Sequence, residues 1–452
     1  ARFAPPLLTK TWFHLGPIGG EFDEDGDAAA RREADFSGEY WPLDRPFLER
    51  PEATTQLLET ASARRAAALR TLRGQAVRTE TYALDGSARQ DRPFTVTETQ
   101  HGLREFADAP DAFFPHLVGH RTTEWERGED PMTTFAFTLE YDEHGLPIHQ
   151  VDLAVPRGRH FRRPAAAGAP YLGPQTVTRH ARRDDAARYI VDRVASVTIH
   201  EIRNDGAPSV PELLDALRAG AADLAVIGQT VHYYDGAAFT GLPLSELGAF
   251  GALVRSEQLV LTDPLLRAVC EDADGNGPGV PPYLDPGGRL CTPEYPQPFR
   301  DRGPGLAGSV RVLPGDPDRV PGFATATVRQ RYDFHDQPPN RSRGLVTVRR
   351  DPLGRDTAIA SDRFGLLPVS VVDAAGLVTH AVYDERTLQP VLVTDPNGNR
   401  TATRYTPLGL LERTAVLGRD TDAFGDTLET PTVRYRYAFT EPALGSRQPA
   451  SV

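Results

Sequence analysis

The chain has 452 residues with 62 acidic against 50 basic side chains, a net charge of −12, which predicts roughly three domains and lacks the basic footprint of a nucleic-acid binder. No apolar run reaches ~18 residues, so no helical membrane span is expected, and two cysteines without C-x-x-C spacing exclude disulfide scaffolds and zinc fingers. Gly and Pro make up 80 residues and hydrophobic content is 39%, so turns rather than long helices are expected to dominate.

The first 50 residues read as irregular, anchored by Trp12, Phe13, Phe36, Tyr40 and Trp41, with the acidic run from Glu21 to Asp27 as a solvated loop. The spacing of Leu57, Leu58, Ala61, Ala68, Leu69 and Leu72 predicts a helix over 51–73, opened by a proline and stopped at Gly74. Strands are expected over 77–84, ending in the hairpin signal Asp85-Gly86, and over 94–99, 133–141 and 148–155. Residues 157–174 read as a linker or exposed loop. A strand is expected over 190–199, and short helices over 210–218, 244–254 and from Pro264 to Val269. Residues 276–305 hold eight Pro and six Gly and read as a long surface loop.

The clearest order lies in the last third. Asp351-Pro-Leu-Gly354, Asp373-Ala-Ala-Gly376 and Asp395-Pro-Asn-Gly398 begin 22 residues apart. Ser361, Tyr383 and Tyr405 keep the same register, as do Gly365, Thr387 and Gly409, and Leu366, Leu388 and Leu410. Each unit therefore reads as a turn, a strand, a second turn and a second strand. Such hairpins cannot bury an apolar face alone and must stack or join a larger sheet. An Asp at the start of each turn accepts backbone N–H groups, and the Gly takes positive φ. Asp351, Gly354, Asp373, Gly376, Asp395, Gly398, Tyr383 and Tyr405 are therefore expected to be structural repeat residues.

Candidate chemistry is weak. His116 and His120 have the i, i+4 spacing of a helical metal pair, with Glu124 four further on, but Leu117 stands where H-E-x-x-H has its base, and Pro115 and Gly119 oppose a helix. Ordinary strand or turn histidines are expected. Asp272, Asp274 and Asn276 resemble the start of a calcium loop, but the closing Glu position holds Tyr283. A Gly/Asp turn is the expected reading there, with a loose calcium site as the alternative. Glu124-Trp-Glu126 has the E-x-E form without the other motifs of ADP-ribosyl transfer. No nucleophile elbow or phosphate loop occurs. No catalytic residue, cofactor or resident metal is expected. Cys270 and Cys291 would close a loop of about 20 residues; a disulfide worth about 3 kcal/mol and a reduced pair both remain open.

The 22-residue units, with Tyr383-Asp384 and Val393-Thr-Asp-Pro-Asn-Gly-Asn-Arg400, resemble Rhs/YD repeats. Upstream, Leu8-Thr-Lys-Thr-Trp-Phe-His14, Arg78-Thr-Glu-Thr-Tyr-Ala-Leu-Asp-Gly86, Arg92-Pro-Phe-Thr-Val-Thr-Glu98 and Leu139-Glu-Tyr-Asp-Glu-His-Gly145 resemble the middle region of the B component of insecticidal toxin complexes. The resemblance implies a mainly β fold, an antiparallel hairpin-repeat sheet with a few short helices. It also implies a division into a middle region over 1–156, a mixed connecting region over 157–310 and a repeat sheet over 311–452. It further implies a secreted, non-catalytic part of a hollow shell, built with a C component that carries the toxin. The pore-forming A component would dock through a propeller that is absent from this chain. The start at Ala1 fits a piece of a longer protein. The alternative is a secreted or surface YD-repeat protein that binds carbohydrate or a cell-surface partner.

Overall fold

A computed structural model describes residues 5–18, 33–59, 62–106, 109–270, 309–337, 342–421 and 424–437. Among them are twenty strands and four α-helices, and every recorded strand pairing is antiparallel. The chain divides into two compact units. One holds 1–180 with 194–229, and the other holds 181–193 with 230–452.

In the first unit, strands follow one another in chain order: β1 (Leu7–Phe13), β2 (Ala76–Ala83), β3 (Thr95–Phe106), β4 (Ala109–Glu124), β5 (Met132–Tyr141), β6 (Pro147–Val155) and the part of β7 (Pro174–Asp185) up to His180. The expected helix over 51–73 is two segments, α1 (Glu52–Glu59) and α2 (Ser62–Leu72). Leu58, Leu69 and Leu72 on them pack with Leu103 and Phe113. The start of the chain is more regular than expected, because β1 pairs along its length with β2.

The larger core lies between Phe135 and Phe137 of β5, Val151 and Leu153 of β6, and α3 (Val210–Arg218). α3 matches the expected span. Ser209 caps it, accepting from Glu212 N–H while the Glu212 carboxylate accepts from Ser209 N–H at 2.8 Å. Such a reciprocal cap satisfies two otherwise orphaned donors. Residues 157–173 have no regular elements except an isolated bridge at Leu172, as expected of a loop, and Pro174 already begins β7; they are not wholly exposed, since Tyr171 is buried in this core and Phe161 packs against it.

The second unit contains β10 (Leu253–Thr262), paired on one side with the end of β9 (Asp223–Tyr234) and on the other with β12 (Gly322–Tyr332). β11 (Ser309–Val312) also pairs with β12, and α4 (Asp263–Cys270) follows β10. The helix expected over 244–254 is not formed; it is corrected to an irregular loop leading into β10. The buried Asp235 carboxylate accepts from the N–H groups of Gly248, Gly251 and Ala252 at 2.8, 2.9 and 3.1 Å. Those donors are thereby lost to a helix, and Ser245 sits at φ +70°.

From β12 the repeat hairpins run in strict order through β13 (Val346–Arg350), β14 (Asp356–Ser361), β15 (Pro368–Val372), β16 (Val378–Asp384), β17 (Gln389–Thr394), β18 (Arg400–Tyr405) and β19 (Leu411–Gly418). The short β20 (Val433–Arg434) pairs with β19. Among the described residues of 342–437, only Ala402 and Ala415 are buried.

Candidate functional site

Two arrangements stand out. The first is a buried charge network in the first unit. Alternation along β2 places Arg78, Glu80 and Tyr82 on one face, and all three are buried. Glu98 from β3 and Arg121 from β4 join them, as their cross-strand register requires. An irregular stretch at 36–50 crosses this face and is held by its backbone. Glu80 accepts from Trp41 N–H at 2.9 Å, and Glu98 accepts from Phe47 and Leu48 N–H at 2.9 Å each. Asp44, buried in that stretch, pairs with Arg121 and, at 3.4 Å, with Arg78. It also accepts from the Trp125 indole at 2.8 Å.

The charges satisfy one another: Arg78 donates to Glu80 at 2.7 Å and Arg121 to Glu98 at 2.8 Å. Tyr82 donates to Glu80 at 2.5 Å, and burial first, then that bond, pushes its phenol pKa well up. A buried ion is tolerable only when paired and fully hydrogen-bonded. The network therefore acts as a clamp on backbone rather than as an acid–base pair.

The second arrangement is the row of repeat turns. Asp351, Asp373 and Asp395 each accept, through the backbone carbonyl, from Gly354, Gly376 and Gly398 N–H at 3.0 Å. Those glycines lie at φ +79° to +85°, where a side chain would be strained. The aspartate carboxylates also accept backbone N–H groups, such as Asn397 and Asn399 at 2.8 Å on Asp395. Contacts with neighbouring backbone N–H groups hold the carboxyls of Asp351 and Asp395 below their ordinary pKa, with the Asn399 side chain first for Asp395.

Halfway between these turns lie others at 362–365, 384–388 and 406–409. Arginines link them across one repeat length: Arg363 to Glu385 at 2.9 Å, and Arg386 to the carbonyls of Thr406 and Pro407 at 3.2 and 2.9 Å. This ladder was not read from the sequence, although the 22-residue offset between Arg363 and Glu385 is its signal. Tyr405 donates to the Pro390 carbonyl at 3.2 Å, and Tyr383 sits opposite Pro390 at a register shift.

His116 and His120 lie on β4, a strand, and burial pushes both pKa values down. Glu124 is the exposed last residue of β4, and Glu126 turns the chain at φ +47°. Asp272, Asp274, Asn276 and Cys291 lie outside the described residues, as do the acidic run 21–27 and the loop 276–305. Among the described residues no cluster of His, Cys, Asp or Glu is arranged to hold a metal ion, and no helix is long and apolar enough to cross a membrane.

Residues 67–205 match the family described as insecticide toxin TcdB middle/C-terminal region. No curated protein matches the chain. Among solved structures, TcdB2–TccC3 without its hypervariable C-terminal region is similar at 20% identity and a TM-score of 0.62, covering 91% of this chain and 19% of that one. TcdB2–TccC3–Cdc42 is similar at 19% identity and 0.63, covering 99% and 21%. The Tc holotoxin pore of Photorhabdus luminescens is similar at 20% identity and 0.62, covering 92% and 19%. The chain thus shares its fold with, and spans about a fifth of the length of, the chains it matches. These matches agree with the resemblance carried by the 8–14, 78–86, 92–98 and 139–145 motifs.

Proposed function

We propose that the chain is the part of a toxin-complex B component that leads into the repeat wall of a hollow β-shell. The shell closes with a C component around a toxic polypeptide. The observation that carries this reading is the repeat sheet β13–β19, whose strands hold two fully buried residues, Ala402 and Ala415, and are otherwise half-buried or exposed along both faces. A globular sheet needs one apolar face packed against something. A wall one sheet thick, wetted on both sides, does not, and a polar inner face gives an unfolded cargo nothing to adhere to.

In this reading the role is structural and non-catalytic, and the protein is secreted. Asp351, Asp373 and Asp395 with their glycines set the hairpin turns of the wall, Tyr405 ties its strand to the neighbouring one through the Pro390 carbonyl, and Tyr383 stands at the register shift opposite Pro390. The C component supplies the toxin, and the A component docks through a propeller outside this chain. The similar structures, which pair TcdB2 with TccC3 and include a holotoxin pore, support these partners.

Co-expression with a C component followed by limited proteolysis tests the proposal. The toxic tail is expected to co-purify and to resist protease until denaturant opens the shell. A tail that is digested at once, or a C component that is not held, refutes encapsulation and moves carbohydrate or cell-surface binding to first place.

A further inference from the structure

In the first unit, residues 42–45, the Trp125 end of β4 and the loop 156–162 enclose a cleft of about 560 Å³, within the size range of small-ligand pockets. Its charges do not cancel. Asp44 is already engaged by Arg78, Arg121 and the Trp125 indole. Glu129 pairs with Arg92 at 3.4 Å and Asp130 with Arg157 at 3.7 Å.

Three lining arginines are left with no carboxylate partner among the described residues: Arg45, Arg159 and Arg162. Arg159 donates to the Tyr171 hydroxyl and to the carbonyls of Ala207 and Pro208. Arg162 donates to the Arg45 carbonyl at 2.6 Å, with its guanidinium 5.0 Å from the Phe47 ring centre. Burial of its head, then the Arg121 charge, pushes the Arg162 pKa down although much of its side chain is exposed. In a chain of net charge −12, carboxylates are in excess, yet among the described residues none lies within ion-pair distance of these guanidiniums, and Glu98 and Asp44 act on Arg162 only from further off. The Arg45 guanidinium, Nε and Nη1 of Arg162 and Nη1 of Arg159 donate to nothing among the described residues, and arginine N–H groups match a carboxylate or phosphate geometrically. Trp125, held edge-on to Trp41 at 4.8 Å, and Phe161 supply apolar walls.

We propose that this cleft binds an oxyanion carried on a flat apolar group, held by the guanidiniums of Arg45, Arg159 and Arg162 against Trp125 and Phe161. The site does not depend on the shell reading.

Calorimetric titration of the full chain with benzoate, phenyl phosphate and neutral benzamide tests it. Saturable one-site binding is expected with an anion and not with benzamide, together with a change in tryptophan fluorescence. Tighter benzoate assigns a carboxylate source, and tighter phenyl phosphate assigns a phosphate ester. Arg45→Gln and Arg162→Gln, both at exposed positions and each checked by circular dichroism for an unchanged fold, are each expected to weaken binding about tenfold. Arg363→Gln, in an exposed pair far along the sequence, is expected to change nothing. Absence of saturable heat with both anions overturns the proposal. So does equal binding of benzamide, or full binding by Arg162→Gln.

Discussion

Single residues carry strain and charge that the surrounding sheet tolerates. His101 on β3 lies 6.4 Å ring to ring from His14, and its Nδ1 is buried without a partner among the described residues. Burial first, then the charges of His14 and His116, pushes its pKa down to about 4. Its folded pKa is below the ordinary 6.5, so the unfolded chain takes up the proton first. The stability it contributes is full above pH 6.5 and is lost as pH falls towards 4. His116, His120, His149, His200 and His232 shift in the same direction, each chiefly through burial. The denaturant midpoint is therefore expected to be lower at pH 5 than at pH 7, with a smaller difference in His101→Gln. A His101 ring titrating near 6.5 by NMR would contradict this.

A second residue, Leu388, shows strain at a turn. Its two counterpart turns use Gly365 and Gly409 at positive φ, whereas here Leu388 itself takes φ +55°. The turn is one residue longer, closing Leu388 N–H onto the Asp384 carbonyl at 2.8 Å. A left-handed leucine costs about 1 kcal/mol or more, and this one is half exposed. Leu388→Gly is expected to raise stability by up to about 1 kcal/mol, read as a higher urea midpoint. A lower midpoint would mean that its remaining contacts outweigh the strain.

At the scale of elements, the 36–50 stretch has no regular structure of its own beyond one short 3-10 turn at Ser37–Glu39. It stays in place because carboxylates on β2 and β3 point into it. Glu98→Ala removes the acceptor for Phe47 and Leu48 N–H and leaves Arg121 one carboxylate short. Breaking a buried pair of this kind typically costs about 3–5 kcal/mol. A loss of that order on chemical denaturation, with faster proteolysis at 36–50, is the expected outcome; a change under about 1 kcal/mol would reduce the clamp to a surface pair. The repeat turns respond to acid differently. Asp351, Asp362, Asp384 and Asp395 have depressed pKa values, so their stabilisation is present above the ordinary carboxylate range and lost as pH falls through it. Circular dichroism below pH 4 is expected to report weakening of the repeat strands, and Asp395→Asn to blunt it.

At the scale of the molecule, open sheet edges are the main hazard. β1 pairs only with β2 among the described residues, and five of its seven residues are exposed, with Leu7 68% exposed. Such an edge invites pairing with another chain. Lys10, the single lysine in the sequence, stands at the middle of that strand, with its ammonium 5.1 Å from the Tyr82 ring centre. A lysine on an edge is a known brake on edge-to-edge association. The isolated chain is expected to self-associate in light scattering, and Lys10→Val to do so at lower concentration. A clean monomer in both would remove the edge from consideration.

Periodicity and turn chemistry are local, and they decided much of this protein from sequence. The alternation in 133–141, the span of α3 and the D-x-x-G turns every 22 residues all lie where the sequence places them. In these elements the residues that choose the conformation are neighbours in the chain. The charge clamp, the Asp235 loop and the arginine cleft are another matter. Glu98 meets Phe47 across 51 positions, Asp235 meets Gly251 across 16, and Arg159 meets Pro208 across 49. Nothing in the local pattern of 244–254 shows that a distant carboxylate will take its N–H groups, so an apparent helix became a loop. Likewise β4 and β7 run through mixed polar sequence and become strands because β3 and β6 offer them an edge. Tertiary structure decided which buried charges meet and which arginines are left without a carboxylate partner, because those outcomes depend on pairing and burial across the sheet.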